Sequence, residues 1–205
     1  MMSAAATDAV SAQTKLLKLT RRRLERYATL LPKILVSDDP EIVHDLRVAS
    51  RRLQQAVRVV AAPDHVKKLK RVVSELRHVR QTLGSCRDLD VNIALLQSKR
   101  EQSGTGSVQR AWDAMENQLA SQRDAMLARV RRDISSLELF KFIARVQSFL
   151  APAKRDFDPL EQIAAAMAKS MKDCEESFAA TREQPDASAL HALRIAGKKL
   201  RYRAE

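Results

Sequence analysis

Helix breakers are rare in this chain, and their positions constrain the fold more than any other feature. Only four glycines and six prolines occur in 205 residues. Pro40, Pro63, Pro152, Pro159 and Pro185 stand at or beside short polar turns. Between those turns apolar residues recur every three or four positions, the spacing that gives a helix one apolar face. Aromatic residues make up 4% of the chain, while Ala, Leu, Arg and Gln are plentiful. A chain so poor in turn residues and so rich in helix formers is expected to be all-α, a helical bundle.

The breakers divide the chain into segments. Residues 1–12 are expected to lack order. A first helix is expected over 14–35, bent near Pro32. Asp39 and Pro40 form a helix-start signal, a capping carboxylate followed by a residue suited to the first helical position. The helix they open is expected to reach Ala62, where Pro63 stops it. A third helix is expected over 65–83, with Gly84 as its terminator. A fourth is capped by Asp88 and runs to Gln102. Residues 103–107 form a joint. A long helix over 108–134 follows, with Trp112, Met115 and Met126 as core residues, then a shorter apolar one over 137–150. Asp158 and Pro159 repeat the start signal of Asp39 and Pro40. Pro185 and Asp186 make one more break, and the last helix runs to Glu205.

Two of these helices carry the same pattern. His44, Arg47, Arg51, Arg52 and Leu53 match His191, Arg194, Lys198, Lys199 and Leu200 in spacing. At about 100° per residue, His44, Arg47, Arg51 and Arg58 share one helix face. Leu46, Ala49, Leu53, Ala56, Val57 and Val60 share the opposite one. His191, Arg194, Lys198 and Tyr202 repeat the basic face, with Leu193, Ala196 and Leu200 behind it. The repetition reads as an internal duplication. Its first half is expected over 13–102, connecting helices over 107–151, and a partial second half over 158–205. The chain ends inside the last helix, so the second half is expected to be incomplete, either completed by another copy in a homo-oligomer or cut short by truncation.

Charge is concentrated on the same segments. The net charge is +12. Residues 1–84 hold 17 Lys and Arg against 8 Asp and Glu. Residues 85–190 hold 15 against 16, and residues 191–205 hold 5 against 1. A concentrated excess points to an anionic partner. Lys70, Arg77 and Arg80 form a basic stripe on the third helix that either joins such a groove or is solvated. The same alternatives hold for Arg21, Arg22, Arg23 and Arg26. Arg87, Asp88 and Asp90 are expected to be structural, as caps or as ion pairs that orient a motif arginine.

Other classes find no support. Phosphate-cradling, zinc-protease and nucleophile-elbow motifs are absent, and no nucleophile or paired carboxylate repeats beside the histidines. No catalytic residue, metal or cofactor is expected. Cys86 and Cys174 have no metal-ligand spacing and fit a reduced, cytoplasmic setting. No stretch reaches the ~20 apolar residues that span a bilayer. A nucleic-acid-binding helical protein is the alternative reading of the basic faces, beside an accessory module to a phosphate-polymer enzyme. It is weakened by the scarcity of aromatic rings on which bases could stack.

With the two histidine motifs in place, and Arg87, Asp88, Asp90 and Val91 between them, the chain resembles the CHAD family, the conserved histidine α-helical domain. The resemblance covers roughly residues 10–205. It implies an all-helical protein of two similar halves around a basic groove, which binds inorganic polyphosphate, can localise to polyphosphate granules, and serves as a binding module rather than an enzyme. The residues expected to line that groove are His44, Arg47, Arg51, Arg52, Arg58, Lys70, Arg77, Arg80, His191, Arg194, Lys198, Lys199, Arg201 and Tyr202.

Overall fold

The computed structural model describes residues 4–101, 107–151 and 159–204. Seven α-helices and a 3₁₀ turn make up its regular structure. The helices are α1 (Ala4–Lys33), α2 (Pro40–Val60), α3 (Val66–Glu101), α4 (Ser107–Ser135), α5 (Leu139–Gln147), α6 (Pro159–Glu183) and α7 (Ala187–Ala204). The all-α expectation is borne out among the described residues.

The start signals act as their chemistry requires. The Asp39 carboxylate accepts the Glu41 amide at 2.9 Å, and Pro40 opens α2. One orphan donor of the first turn is thereby satisfied. At α7 the Asp186 carboxylate accepts the Ala189 amide at 2.7 Å in the same way. Pro63 stands in the 3₁₀ turn Pro63–His65 that separates α2 from α3. The equivalent position before α6, Asp158, and the joint at 103–106 lie outside the described residues.

Three expectations are corrected. First, α1 begins at Ala4, within the segment expected to lack order. Ala4, Ala5, Ala6 and Ala9 are the strongest helix formers, and no breaker separates them from Thr14. Second, Gly84 does not end a helix and Asp88 does not start one, because α3 runs through both. Gly within a helix costs only about 1 kcal/mol relative to Ala. Val79, Leu83 and Cys86, on both sides of Gly84, are buried in one core and hold the helix together. Third, Trp112 is only half-buried and Met115 is exposed. The part of α4 that enters the core is its later half, through Leu127, Val130 and Ile134.

That core lies among α1 to α5. Leu24, Tyr27 and Leu31 of α1 meet Leu46, Leu53 and Val57 of α2, Val72, Leu76 and Leu83 of α3, and Phe142 and Val146 of α5. Tyr27 stacks tilted on Phe142 at 5.2 Å between ring centroids. Helices α6 and α7 form a hairpin that packs mainly on itself and meets the rest through α1 and α2. Among the described residues they add none to the buried cluster, and Met171, Phe178, Leu190 and Ile195 on them are exposed.

Arginines of the middle segment have structural work. Arg131 of α4 donates to the Ile34 carbonyl at 3.0 Å, the Ser37 carbonyl at 2.9 Å and the Asp38 carboxylate at 2.8 Å. Arg123 donates to the Asp38 carbonyl and to the Asp90 carboxylate. Together they fasten the turn between α1 and α2, and so fix where α2 begins. Arg145 of α5 grips both oxygens of Glu75 on α3, at 2.8 and 2.7 Å. These cations are matched by oxygens, in keeping with a segment of nearly balanced charge.

Candidate anion site

The basic face of α2 lies along α3. Arg47, Arg51 and Arg58 come from α2, and Arg77 and Arg80 from α3. Among the described residues none of the five forms an ion pair with a carboxylate. Their few partners are neutral. Arg47 donates to the Arg80 carbonyl at 2.6 Å. The Arg80 guanidinium donates to the Gln54 side-chain oxygen, and one of its terminal nitrogens is buried without any partner.

The electrostatics follow from that crowding. Burial pushes Arg80 down to about 10, and the charges of Arg51, Arg77, Arg47 and Arg58 push in the same direction. Arg47 is lowered by burial, with Asp88 opposing and Arg51 and Arg87 adding to the fall. Arg58 is lowered by burial, then by Arg203 and Arg77. Like charges held together without counter-charge disfavour their own protonated forms. A bound anion would supply what the protein leaves out.

Gly84 lies beside the Arg47 guanidinium, and a Cβ there would meet a terminal nitrogen of Arg47 at 3.4 Å, an ordinary van der Waals contact.

The second motif reaches the cluster at one place. The Arg51 guanidinium lies over the Tyr202 ring, 4.3 Å from its centroid, and Arg201 lies over the same ring at 4.7 Å. Cation–π contact thus joins α2 to α7. Arg203 stands close enough to Arg58 to lower it, and donates to the Ala166 carbonyl at 2.6 Å and to the Ser170 hydroxyl. Arg203 was not among the expected site residues. The first repeat has Ala56 at the corresponding position, so the duplication gave no reason to choose it; the basic run Arg201 to Arg203 was the only signal.

For the other expected residues the described contacts give no bond to the cluster. His44 is half-buried and His191 exposed, and neither makes a hydrogen bond or ion pair among the described residues. Arg194, Lys198, Lys199 and Lys70 are exposed and likewise without such a bond. Arg52 turns the other way. It lines a groove between α1 and α2 with Arg22, Arg23 and Arg26, about a quarter-turn round α2 from Arg51.

The orienting residues divide as well. Arg87 lies 3.9 Å from Glu41 at the start of α2. Asp88 is exposed and acts on Arg47 through its charge. Asp90 is buried and pairs at 2.9 Å with Arg123 of α4, not with a motif arginine. A partner so distant in the chain leaves no local sequence signal.

The family profile for the CHAD domain matches residues 18–205. No curated protein matches the chain.

Proposed function

The chain belongs to the CHAD domain family, and from that premise we propose that it binds inorganic polyphosphate, as a non-catalytic module, at the arginine cluster between α2 and α3. One observation carries the reading. Arg47, Arg51, Arg58, Arg77 and Arg80 are gathered from two helices with no carboxylate bonded to any of them among the described residues, and burial, then the nearness of the other four, pulls Arg80 down to about 10. Folding tolerates such a cluster at a cost, and a polyanion relieves it. Arg suits phosphate oxygens because its planar donors meet two oxygens at once.

Nucleic acid would use the same charges, and single strands bind most tightly where bases also stack on aromatic rings. The aromatic ring at the site is Tyr202, and it already carries Arg51 and Arg201. This favours a polymer that is phosphate alone. No helix among the described residues is long and apolar enough to cross a membrane. The proposal places the protein in the cytoplasm, on polyphosphate granules.

Binding to long-chain polyphosphate, single-stranded RNA and duplex DNA should be compared at matched phosphate concentration and ~150 mM salt, near physiological ionic strength. Polyphosphate is expected to bind tightest, with affinity falling steeply as salt rises through counterion release. Equal competition by RNA or DNA would defeat the reading. With a divalent metal added, no orthophosphate should be released. Sustained release would make the protein an enzyme.

The exposed Met171, Phe178, Leu190 and Ile195 on α6 and α7 support a further part of the proposal, that copies of the chain associate through this hairpin. Sedimentation equilibrium should then give a mass above that of one chain. A single-chain mass at micromolar concentration removes this part and leaves the binding site untouched.

A further inference from the structure

We propose a second binding site, for an anionic single-chain amphiphile, in the cavity between helices α1, α2 and α3 and the α6–α7 hairpin. The ligand is a hydrocarbon chain with a carboxylate or phosphate head. The site is independent of polyphosphate binding, although Arg58 serves both. The cavity has a volume of about 610 Å³, within the range of small-molecule sites. Its walls are mostly apolar, with Leu16 and Leu19 of α1, Val59 of α2, Leu69 of α3, and Ile163 and Met167 of α6. None of these six is fully buried.

Small side chains create the space. Ala56 lines it from α2, and Ala165 and Ala166 line it from α6. The hairpin is held off by Tyr202 of α7, whose ring carries the Arg51 guanidinium of α2 at 4.3 Å. A large ring at that contact keeps α7 from settling onto α2. Leu16 and Leu69 pack on the core with one side and line the cavity with the other.

Charge complementarity selects the ligand. Arg58 and Arg203 line the cavity, and no Asp or Glu is among its described lining residues. Arg203 is fixed by neutral oxygens, the Ala166 carbonyl at 2.6 Å and the Ser170 hydroxyl. It stands close enough to Arg58 for the two like charges to act on each other. Among the described residues neither guanidinium has a carboxylate partner. An anionic head placed between them meets both, and the planar donors of Arg suit a carboxylate or a phosphate equally. Gln55, one turn before Arg58 on α2, adds an amide donor. The hydrocarbon chain then lies along the apolar walls. A polyanion does not suit this cavity, because its further charges would lie on those walls unpaired. Nor does a peptide helix, which at about 10 Å across fills the volume within about a turn and a half.

The full chain is titrated calorimetrically with decanoate, decyl phosphate and uncharged decanol, each below the concentration at which it self-associates. One charged amphiphile should bind per chain, at least about tenfold tighter than decanol, as expected for a charge-assisted hydrogen bond. The tighter of the two charged ligands identifies the head. Arg203→Gln should weaken both about tenfold and leave decanol unchanged. Ala166→Phe, which fills the cavity, should remove binding of all three. If that variant melts lower, Ala165→Phe on the exposed part of the same wall takes its place. The inference is overturned if the charged ligands bind no tighter than decanol, or if filling the cavity leaves their affinity unchanged. Many molecules per chain overturn it too, since they would coat an open apolar surface. A chain that binds these amphiphiles but not polyphosphate loses the reading above and keeps this one, and the reverse result does the opposite.

Discussion

Replacing Arg51 and Arg77 together by glutamine should lower affinity for polyphosphate about a hundredfold or more without lowering the melting temperature of the free protein. Each guanidinium is charged and has no carboxylate partner among the described residues. A charge-assisted bond to phosphate contributes about 1.5–3 kcal/mol, so each loss is about tenfold to a hundredfold in affinity. The stability half of the expectation comes from Arg80. Its folded-state value is lowered to about 10, first by burial and then by Arg51 and Arg77 among its neighbours. For a base with a lowered value, the protonated form is disfavoured in the folded protein. That penalty is fully present at neutral pH and fades as pH rises through about 10, where Arg80 releases its proton in the folded state first. Removing two like charges reduces the penalty at neutral pH. Loss of the contact between the half-buried Arg51 and Tyr202 opposes it by about 0.5–2 kcal/mol. The two terms offset each other, and the net change is small. Polyphosphate itself should raise the melting temperature of the unaltered protein, since it binds only the folded state. A drop of several degrees in the free double variant would show that these arginines support the fold, and the site assignment would then be wrong.

Arg47 is the useful contrast. It shares the face of Arg51, and the repeat treats the two alike. Yet Arg47 donates to the backbone carbonyl of Arg80 and lies against Gly84, so it ties α2 to α3 as well as carrying charge. Periodicity puts residues on a face, but it does not say which of them the facing helix will use. Arg52 shows the same limit from the other side. One residue beyond Arg51 is a rotation of about 100°, enough to move it from the α3 side of the helix to the α1 side. The motif names both residues, and the wheel separates them.

What could be read in advance was local. Asp39 with Pro40 is cap chemistry within one helical turn and acts as expected, and the break at Pro185 and Asp186 falls directly before α7. The apolar face of α2 is set by one helix's own period, and Leu46, Leu53 and Val57 are fully buried. What escaped was decided by other parts of the chain. Gly84 is a reasonable helix end by itself; packing of α3 against α2 before it and α4 after it outweighs about 1 kcal/mol of local preference. Trp112 has helical spacing to Met115, but the start of α4 packs on the end of α3 and adds nothing to the buried cluster among the described residues. His44 and His191 anchored the sequence pattern, whereas the charge that defines the site sits on arginines three and more positions further along.

Removal of Arg123 should damage the fold strongly, costing about 3–5 kcal/mol. Arg123 is 8% exposed and Asp90 6%, and they meet at 2.9 Å. Burial alone would lower the Arg123 value, but the hydrogen bond and charge of Asp90 outweigh it, and the group sits above its ordinary range. In Arg123→Met the Asp90 carboxylate is left buried with no cation, and the Asp38 carbonyl loses its donor at the turn that leads into α2. The penalty comes mostly from the stranded partner, so it should shrink when the partner is removed as well. The double variant Asp90→Leu with Arg123→Met is therefore expected to recover most of the loss in urea unfolding. A coupling of at least about 1 kcal/mol, within the range for contacting residues, is the signature. Strict additivity of the two single changes would mean the pair does not act as a unit. Neither residue touches the arginines between α2 and α3, so the folded double variant should keep its polyphosphate affinity. If affinity fell while stability was restored, the clamp on the α1–α2 turn would be setting the register of α2, and with it the spacing of Arg51 and Arg58 along the site.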